Sequence, residues 1–122
     1  MITGTHAILY ADDADAARAF LRDVLGLPNV DVGGGWLVFK LPPAELGVHP
    51  AVEGVPAGDR HELFLMCDDI DATVRDLTAK GVEFTGPVSD EGFGMMAVLR
   101  VPGAGELGIY QPKHAIAYNL DT

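Results

Sequence analysis

His6 and Glu62 are the two side chains in this sequence whose types and spacing best suit chemistry. His6 stands six positions before Asp12-Asp13 and Glu62 six before Asp68-Asp69. The segments Asp12-Asp13-Ala14-Asp15-Ala16 and Asp68-Asp69-Ile70-Asp71-Ala72 echo one another at a constant offset of 56 residues. Equivalent positions in two copies of one unit are expected to face each other across a pseudo-twofold axis. A carboxylate beside an imidazole raises its proton affinity and fixes its tautomer, which makes an acid–base couple. The same pair serves equally well as an ion pair anchoring two strands, because perturbed pairs mark function only some of the time.

Other residues carry weaker chemistry. Lys40 and Arg100 are also equivalents; they either bind an anionic ligand or, the better-supported reading, run out to the sheet rim, since basic side chains are seldom buried unpaired. Trp36, Phe64 and Tyr110 can stack on a planar ligand, although aromatics on a sheet face more often simply pack. Met66, Met95 and Met96 would form an adaptable wall or fill gaps. His49, just before Pro50, reads as a strand-end residue near the same face. Cys67 has no basic neighbour in sequence to lower its pKa and reads as an inert thiol. Gly33-Gly34-Gly35 is a turn and not a phosphate loop, because no helix begins after it.

The elements that must position these groups follow from a second repeat. Val38-Phe39-Lys40-Leu41-Pro42-Pro43-Ala44-Glu45-Leu46-Gly47-Val48-His49-Pro50 returns as Val98-Leu99-Arg100-Val101-Pro102-Gly103-Ala104-Gly105-Glu106-Leu107-Gly108-Ile109-Tyr110-Gln111-Pro112. Alternating apolar and polar residues broken by a proline-containing turn predict a β-hairpin in each copy. Ahead of each hairpin the pattern predicts a strand (5–11 and 61–67) and a helix capped by the aspartates. The first helix buries Ala16, Ala17, Phe20, Leu21, Val24 and Leu25 and stops at Gly26; the second buries Ile70, Val74 and Leu77 and stops at Gly81. Strands over 29–33, 36–41, 45–49, 82–88, 93–101 and 106–111 complete two βαβββ modules, 4–50 and 60–112, joined by a linker over 51–59. A tail over 113–122 holds Ala115, Ile116, Tyr118 and Leu120, apolar enough to dock. One helix cannot cover both faces of four strands, so the expectation is a single α+β domain over residues 1–122. In it the modules share a curved eight-stranded sheet, with helices outside and a concave cleft within.

Strand parity sorts the residues between the faces. His6, Ile8, Tyr10, Trp36, Val38, Lys40, Glu45, His49, Glu62, Phe64, Met66, Met96, Val98, Arg100 and Tyr110 are expected to line the cleft. Ala7, Leu9, Leu37, Phe39, Leu46, Val48, Leu63, Leu65, Leu99, Leu107 and Ile109 have the opposite parity and are expected beneath the helices.

Bulk properties narrow the function classes. The chain has 122 residues, 48% of them apolar, which is enough for a core without staples. No segment approaches the roughly 18 consecutive apolar residues of a membrane span. The start, Met1-Ile2-Thr3-Gly4, lacks the regions of a signal peptide, and a single cysteine suits a reducing compartment, so a cytoplasmic location is expected. A net charge of −10 without a basic stripe argues against nucleic acid and favours cationic ligands as a bulk preference.

The paired modules, the strand-Asp-Asp-x-Asp-Ala helix starts and the closing Pro-Gly-x-Gly-Glu-Leu-x-Ile-Tyr-Gln-Pro resemble the vicinal oxygen chelate superfamily. That group contains glyoxalases, bleomycin-resistance proteins, fosfomycin-inactivating enzymes, methylmalonyl-CoA epimerases and extradiol dioxygenases. The resemblance implies a homodimer, in some members with modules exchanged between chains. It also implies a metal site taking ligands from the first and last strand of each module. His6 matches a usual first-strand ligand and Glu62 holds the corresponding place in the second module. The two usual glutamate positions fall at Gly47 and Gly108, which cannot ligate. A metal set would therefore need His6, Glu62 and a third ligand from His49 or Glu45, suited to a divalent ion such as Zn, Fe, Mn or Ni. The leading expectation is a small-molecule binding or sequestering protein of the bleomycin-resistance type with a degenerate metal site and no obligatory cofactor. The alternatives are a metal-dependent lyase, isomerase or dioxygenase using His6 and Glu62, and an inactive structural subunit.

Overall fold

Alternation along the last hairpin builds the core. Leu99 and Val101 from one arm and Leu107 and Ile109 from the other are buried, together with Ala97, against Ile70, Leu77, Ala17 and Phe20 of the helices. These positions have the parity expected of the helix-facing side. The computed structural model describes residues 6–47, 50, 53–54 and 61–119.

Six strands occur among the described residues: β1 (Asn29–Asp31), β2 (Leu37–Phe39), β3 (Phe64–Met66), β4 (Ser89–Asp90), β5 (Gly94–Arg100) and β6 (Glu106–Pro112). They form a two-stranded sheet, β1-β2, and a four-stranded sheet in the order β3-β6-β5-β4. The parallel β3–β6 pair sets Phe64 opposite Gly108 and Met66 opposite Tyr110. The antiparallel β5–β6 pair sets Met96 opposite Tyr110 and Val98 opposite Gly108. Residues 83–85 pair with β5 on the same edge as β4, through a Phe84–Leu99 bridge and hydrogen bonds from Thr85 N to Val98 O and from Arg100 N to Glu83 O, both 2.9 Å.

Both helices start where the aspartates were expected to cap them. Asp13 accepts from Ala16 N–H to open α1 (Ala14–Ala19), and Asp69 accepts from Ala72 N–H to open α2 (Ile70–Ala79). α1 continues as a π-helical turn over Phe20–Val24, closed by Leu25 N to Phe20 O at 3.2 Å. Gly26 and Gly81 end the two helices in the left-handed region, at φ +66° and +89°.

Among the described residues the two halves of the chain differ, with six strands in two sheets rather than a continuous eight-stranded one. Residues 6–11 pair with no described strand, and residues 40–47 carry no strand, while Val48 and His49 lie outside the described residues. Turn chemistry supplies the reason. The β5–β6 turn needs Gly103 at φ +75° and Gly105 at φ +74°, closed by Val101 N to Gly105 O at 2.8 Å. The first copy has Pro43 where the second has Gly103, and no residue matching Gly105. Proline cannot take positive φ and offers no N–H, so the turn of the second copy is not repeated over residues 40–47.

Gly103 also joins the modules. Its carbonyl accepts from Asp13 N–H at 2.9 Å, and a side chain there would meet the Asp13 backbone, 2.5 Å from its carbonyl oxygen. Gly103→Ala therefore combines a left-handed conformation with a backbone clash. The expected loss is about 2–4 kcal/mol, read as a drop in Tm with the denaturant slope unchanged; a drop under 0.5 kcal/mol, the size of an ordinary surface change, would contradict this account.

Candidate functional site

The face of β6 opposite the core carries the densest cluster of polar and aromatic side chains among the described residues. Because Leu107 and Ile109 point to the helices, Gly108 and Tyr110 point to the other side. There the Phe64 ring lies over Gly108: a side chain at 108 would sit within 2.6 Å of Phe64 Cε1. Tyr110 then packs edge-to-face with Phe64 at 5.9 Å and with Phe93 at 5.4 Å between centroids. Met96, opposite Tyr110 in register, is half-buried on the same face.

Glu45 reaches this face from the irregular segment that follows β2. Its Oε1 accepts from the Tyr110 hydroxyl at 3.2 Å, and its Oε2 accepts from Ala117 N–H at 2.8 Å. His114 Nε2 lies 3.4 Å from the same hydroxyl and 3.6 Å from Glu45 Oε1. The other ring nitrogen, Nδ1, is 2.8 Å from the Ala115 carbonyl oxygen and donates to it, while the single Tyr110 hydroxyl proton goes to Glu45. The Tyr110 residue is 8% exposed, and burial together with the Glu45 charge holds its phenol above the ordinary tyrosine range. The hydroxyl is thus a donor at neutral pH and not a phenolate.

The residues singled out from the sequence are distributed unevenly about this cluster. Phe64, Met96 and Tyr110 meet on it, with Met66 next along β3 in register with Tyr110. Val38 is half-buried on β2. Lys40 is exposed, and so is Arg100, whose Nε lies 3.8 Å from Glu83 Oε2. Trp36 makes no ring contact with the cluster; the Arg18 guanidinium of α1 sits 4.9 Å above its ring instead. Tyr10 is 87% exposed, and His6 and Glu62 are exposed as well. His49 lies outside the described residues. Phe93 and His114 were not anticipated. The signal for His114 was its place four residues after Tyr110 in a tail already apolar enough to dock.

Among the described residues, no three His, Cys, Asp or Glu side chains are grouped as a metal ion requires. At Gly108 the Phe64 ring fills the space that a side chain would use. Burial pushes the Cys67 thiol up, only partly opposed by its hydrogen bond to Thr73.

Two cavities flank the fold. The larger, about 580 Å³, is on the outer side between Phe20, Val24, Val82 and Val101, away from the Tyr110 cluster. The smaller, about 290 Å³, lies at the ends of β3 and β6, between Met66, Cys67, Asp68 and Gln111 and the Ile116 and Tyr118 side chains.

The Phe64–Gly108 contact makes a direct prediction. Gly108→Glu will not create a metal ligand but will displace the Phe64 ring and lower stability by about 1–3 kcal/mol. Paired with Phe64→Ala, most of that loss is recovered, giving a coupling energy of at least about 1 kcal/mol in a double-mutant cycle. Additive losses would mean that the ring does not occupy that space.

The sequence model of the Glyoxalase/Bleomycin resistance protein/Dioxygenase superfamily matches residues 5–112. No curated protein matches the chain significantly. Among solved structures, the chain is similar to TnmS3, an antibiotic binding protein from Streptomyces sp. CB03234. The two share 24% identity with a TM-score of 0.62, over 93% of this chain and 100% of that one. It is similar to lactoylglutathione lyase from Agrobacterium tumefaciens at 24% identity and a TM-score of 0.59, over 89% and 96% of the two chains. A member of the same superfamily from Sphaerobacter thermophilus DSM 20745 matches at 20% identity and a TM-score of 0.61, over 90% and 98%. At these identities the structures establish a common fold, and the family match covers most of the sequence: the chain belongs to the glyoxalase/bleomycin resistance protein/dioxygenase superfamily.

Proposed function

We propose that the protein is a small-molecule binding protein whose ligand rests on the Tyr110 face of the four-stranded sheet, without a catalytic metal. The observation that carries this is the Phe64 ring lying over Gly108. An aromatic floor stands where the superfamily resemblance would place a metal-binding carboxylate. Aromatic rings, thioethers and a few polar groups on one face form the lining that small-molecule sites use. The likeness to an antibiotic binding protein supports sequestration of a ligand as the role. The enzyme reading depends on His6 and Glu62, and both side chains are exposed, outside the enclosure that acid–base catalysis uses.

A thermal-shift screen tests this reading, since a ligand at 100 times its Kd adds about 2.7 kcal/mol to stability. A compound that raises Tm is expected to lose at least tenfold in affinity in Phe64→Ala, and chelation is expected to leave its binding unchanged. Stoichiometric bound metal that disappears in His6→Ala would overturn the metal-free reading.

The same proposal includes a homodimer. Ile8 (67% exposed), Tyr10, Trp36 and Leu46 (89% exposed) leave the first module with an uncovered apolar surface. Among the described residues, β3 ends the four-stranded sheet with one open edge, and residues 6–11 have no strand partner. Pairing between copies would answer both deficits and extend the sheet toward the eight strands that the repeat implies. Sedimentation at micromolar concentration is expected to show a dimer that Ile8→Asp together with Leu46→Asp converts to monomer. A wild-type monomer at that concentration would contradict it.

A further inference from the structure

We propose that residues 113–119 form a strap that closes the Tyr110 face against its own ligand, with the Glu45 carboxylate as the latch. This rests on that face being the ligand site. The strap is fixed firmly at its base. Lys113 N–H donates to Phe93 O at 2.9 Å, and Lys113 Nζ lies 2.7 Å from Asp90 Oδ2. Beyond this base it crosses the face, His114 stacks obliquely beside Tyr110 at 6.1 Å, and the chain turns into a 3-10 helix over Ala117–Asn119.

Its far end is held differently. The direct polar tie from the 3-10 turn to the body is Ala117 N–H on Glu45 Oε2, while the partner oxygen of the same carboxylate takes the Tyr110 hydroxyl. One side chain, 15% exposed, therefore clamps the strap to the sheet. Residues 114, 115 and 117–119 are exposed and Ile116 is half-buried, so little apolar burial supplements that bond. The strap also stands off the strand ends, leaving the cavity of about 290 Å³ beneath Ile116 and Tyr118. A segment with few buried apolar contacts and an exposed backbone belongs to the least stable part of a fold. Opening it breaks the charge-assisted Ala117–Glu45 hydrogen bond and the His114 contacts with Tyr110 and Glu45, and leaves the aliphatic core between the sheet and the helices intact. In the closed state Tyr110, at the centre of the face, is nearly inaccessible, so a ligand must displace the strap to reach it.

Two full-length variants test the latch. Glu45→Gln removes the charge while keeping the shape. Ala117→Pro removes the donor at the first position of its helical turn, where proline is tolerated. Amide exchange over residues 113–119 reads the strap, with the β5–β6 amides as an internal reference for intact folding. Titration with the neutral dye Nile red reads access to the face without bias from the altered charge. Both variants are expected to speed exchange in the strap by about tenfold or more, the loss of one charge-assisted bond, and to bind dye several-fold tighter than wild type. Unchanged strap exchange in both variants would overturn the latch. Faster exchange with unaltered dye affinity, where Phe64→Ala still abolishes dye binding, would overturn gating and leave the ligand face standing. Absence of saturable dye binding in wild type and in both variants would remove the ligand face and this inference with it.

Discussion

β6 is the constraint on which the structure depends. It is bonded on both sides, parallel to β3 and antiparallel to β5, and its two faces do different work. Leu107 and Ile109 lock it into the helix-covered core, and strand geometry then leaves Gly108 and Tyr110 no freedom to point elsewhere. Gln111 adds a third constraint at the end of the strand, accepting from Ile70 N–H at 2.9 Å and so tying the start of α2 to the sheet. A shift of one residue would bury Tyr110 among aliphatic side chains and strand Leu107 and Ile109 at the surface. Apolar burial on one face is therefore what positions the polar cluster on the other.

The glycine at 108 makes sense only beside its neighbour across the ladder. Read alone, it is a missing ligand. Read with Phe64, it is the space that lets an aromatic ring lie flat against the backbone of β6. Phe64 in turn supports the edge of Tyr110, and Tyr110 presents its hydroxyl to Glu45. The bare backbone at 108 and the aromatic face beside it are thus one structural feature: the ring lies there because no side chain stands in its way.

The two modules began as near-copies in sequence and ended as different structures. Their helices match because the determinants are local: an aspartate cap, an apolar stripe and a left-handed glycine stop. Their hairpins do not, because Pro43 cannot adopt the conformation that Gly103 adopts. The first module is left with exposed apolar side chains and, among the described residues, a segment over 6–11 without a strand partner. The second holds most of the core. Glu45 belongs to the open module yet points into the closed one, and through it the irregular segment after β2 and the tail are held to β6.

Much of this was written in the letters of the chain. Helix starts and stops, the β5–β6 hairpin and the core side of the second module follow from caps, glycines and period-two alternation, which act over a few residues. Parity alone placed Phe64, Met96 and Tyr110 together and put Glu45 on their side. Contacts between segments far apart in sequence were decided only by the tertiary structure. Glu45 and Tyr110 are 65 residues apart, and nothing local to either one announces the bond. The same holds for Trp36, which parity sent to the cleft but which Arg18 of α1 engages instead. It holds also for His6 and Glu62, equivalent by repeat yet exposed, because symmetry in sequence does not by itself bring distant strands together.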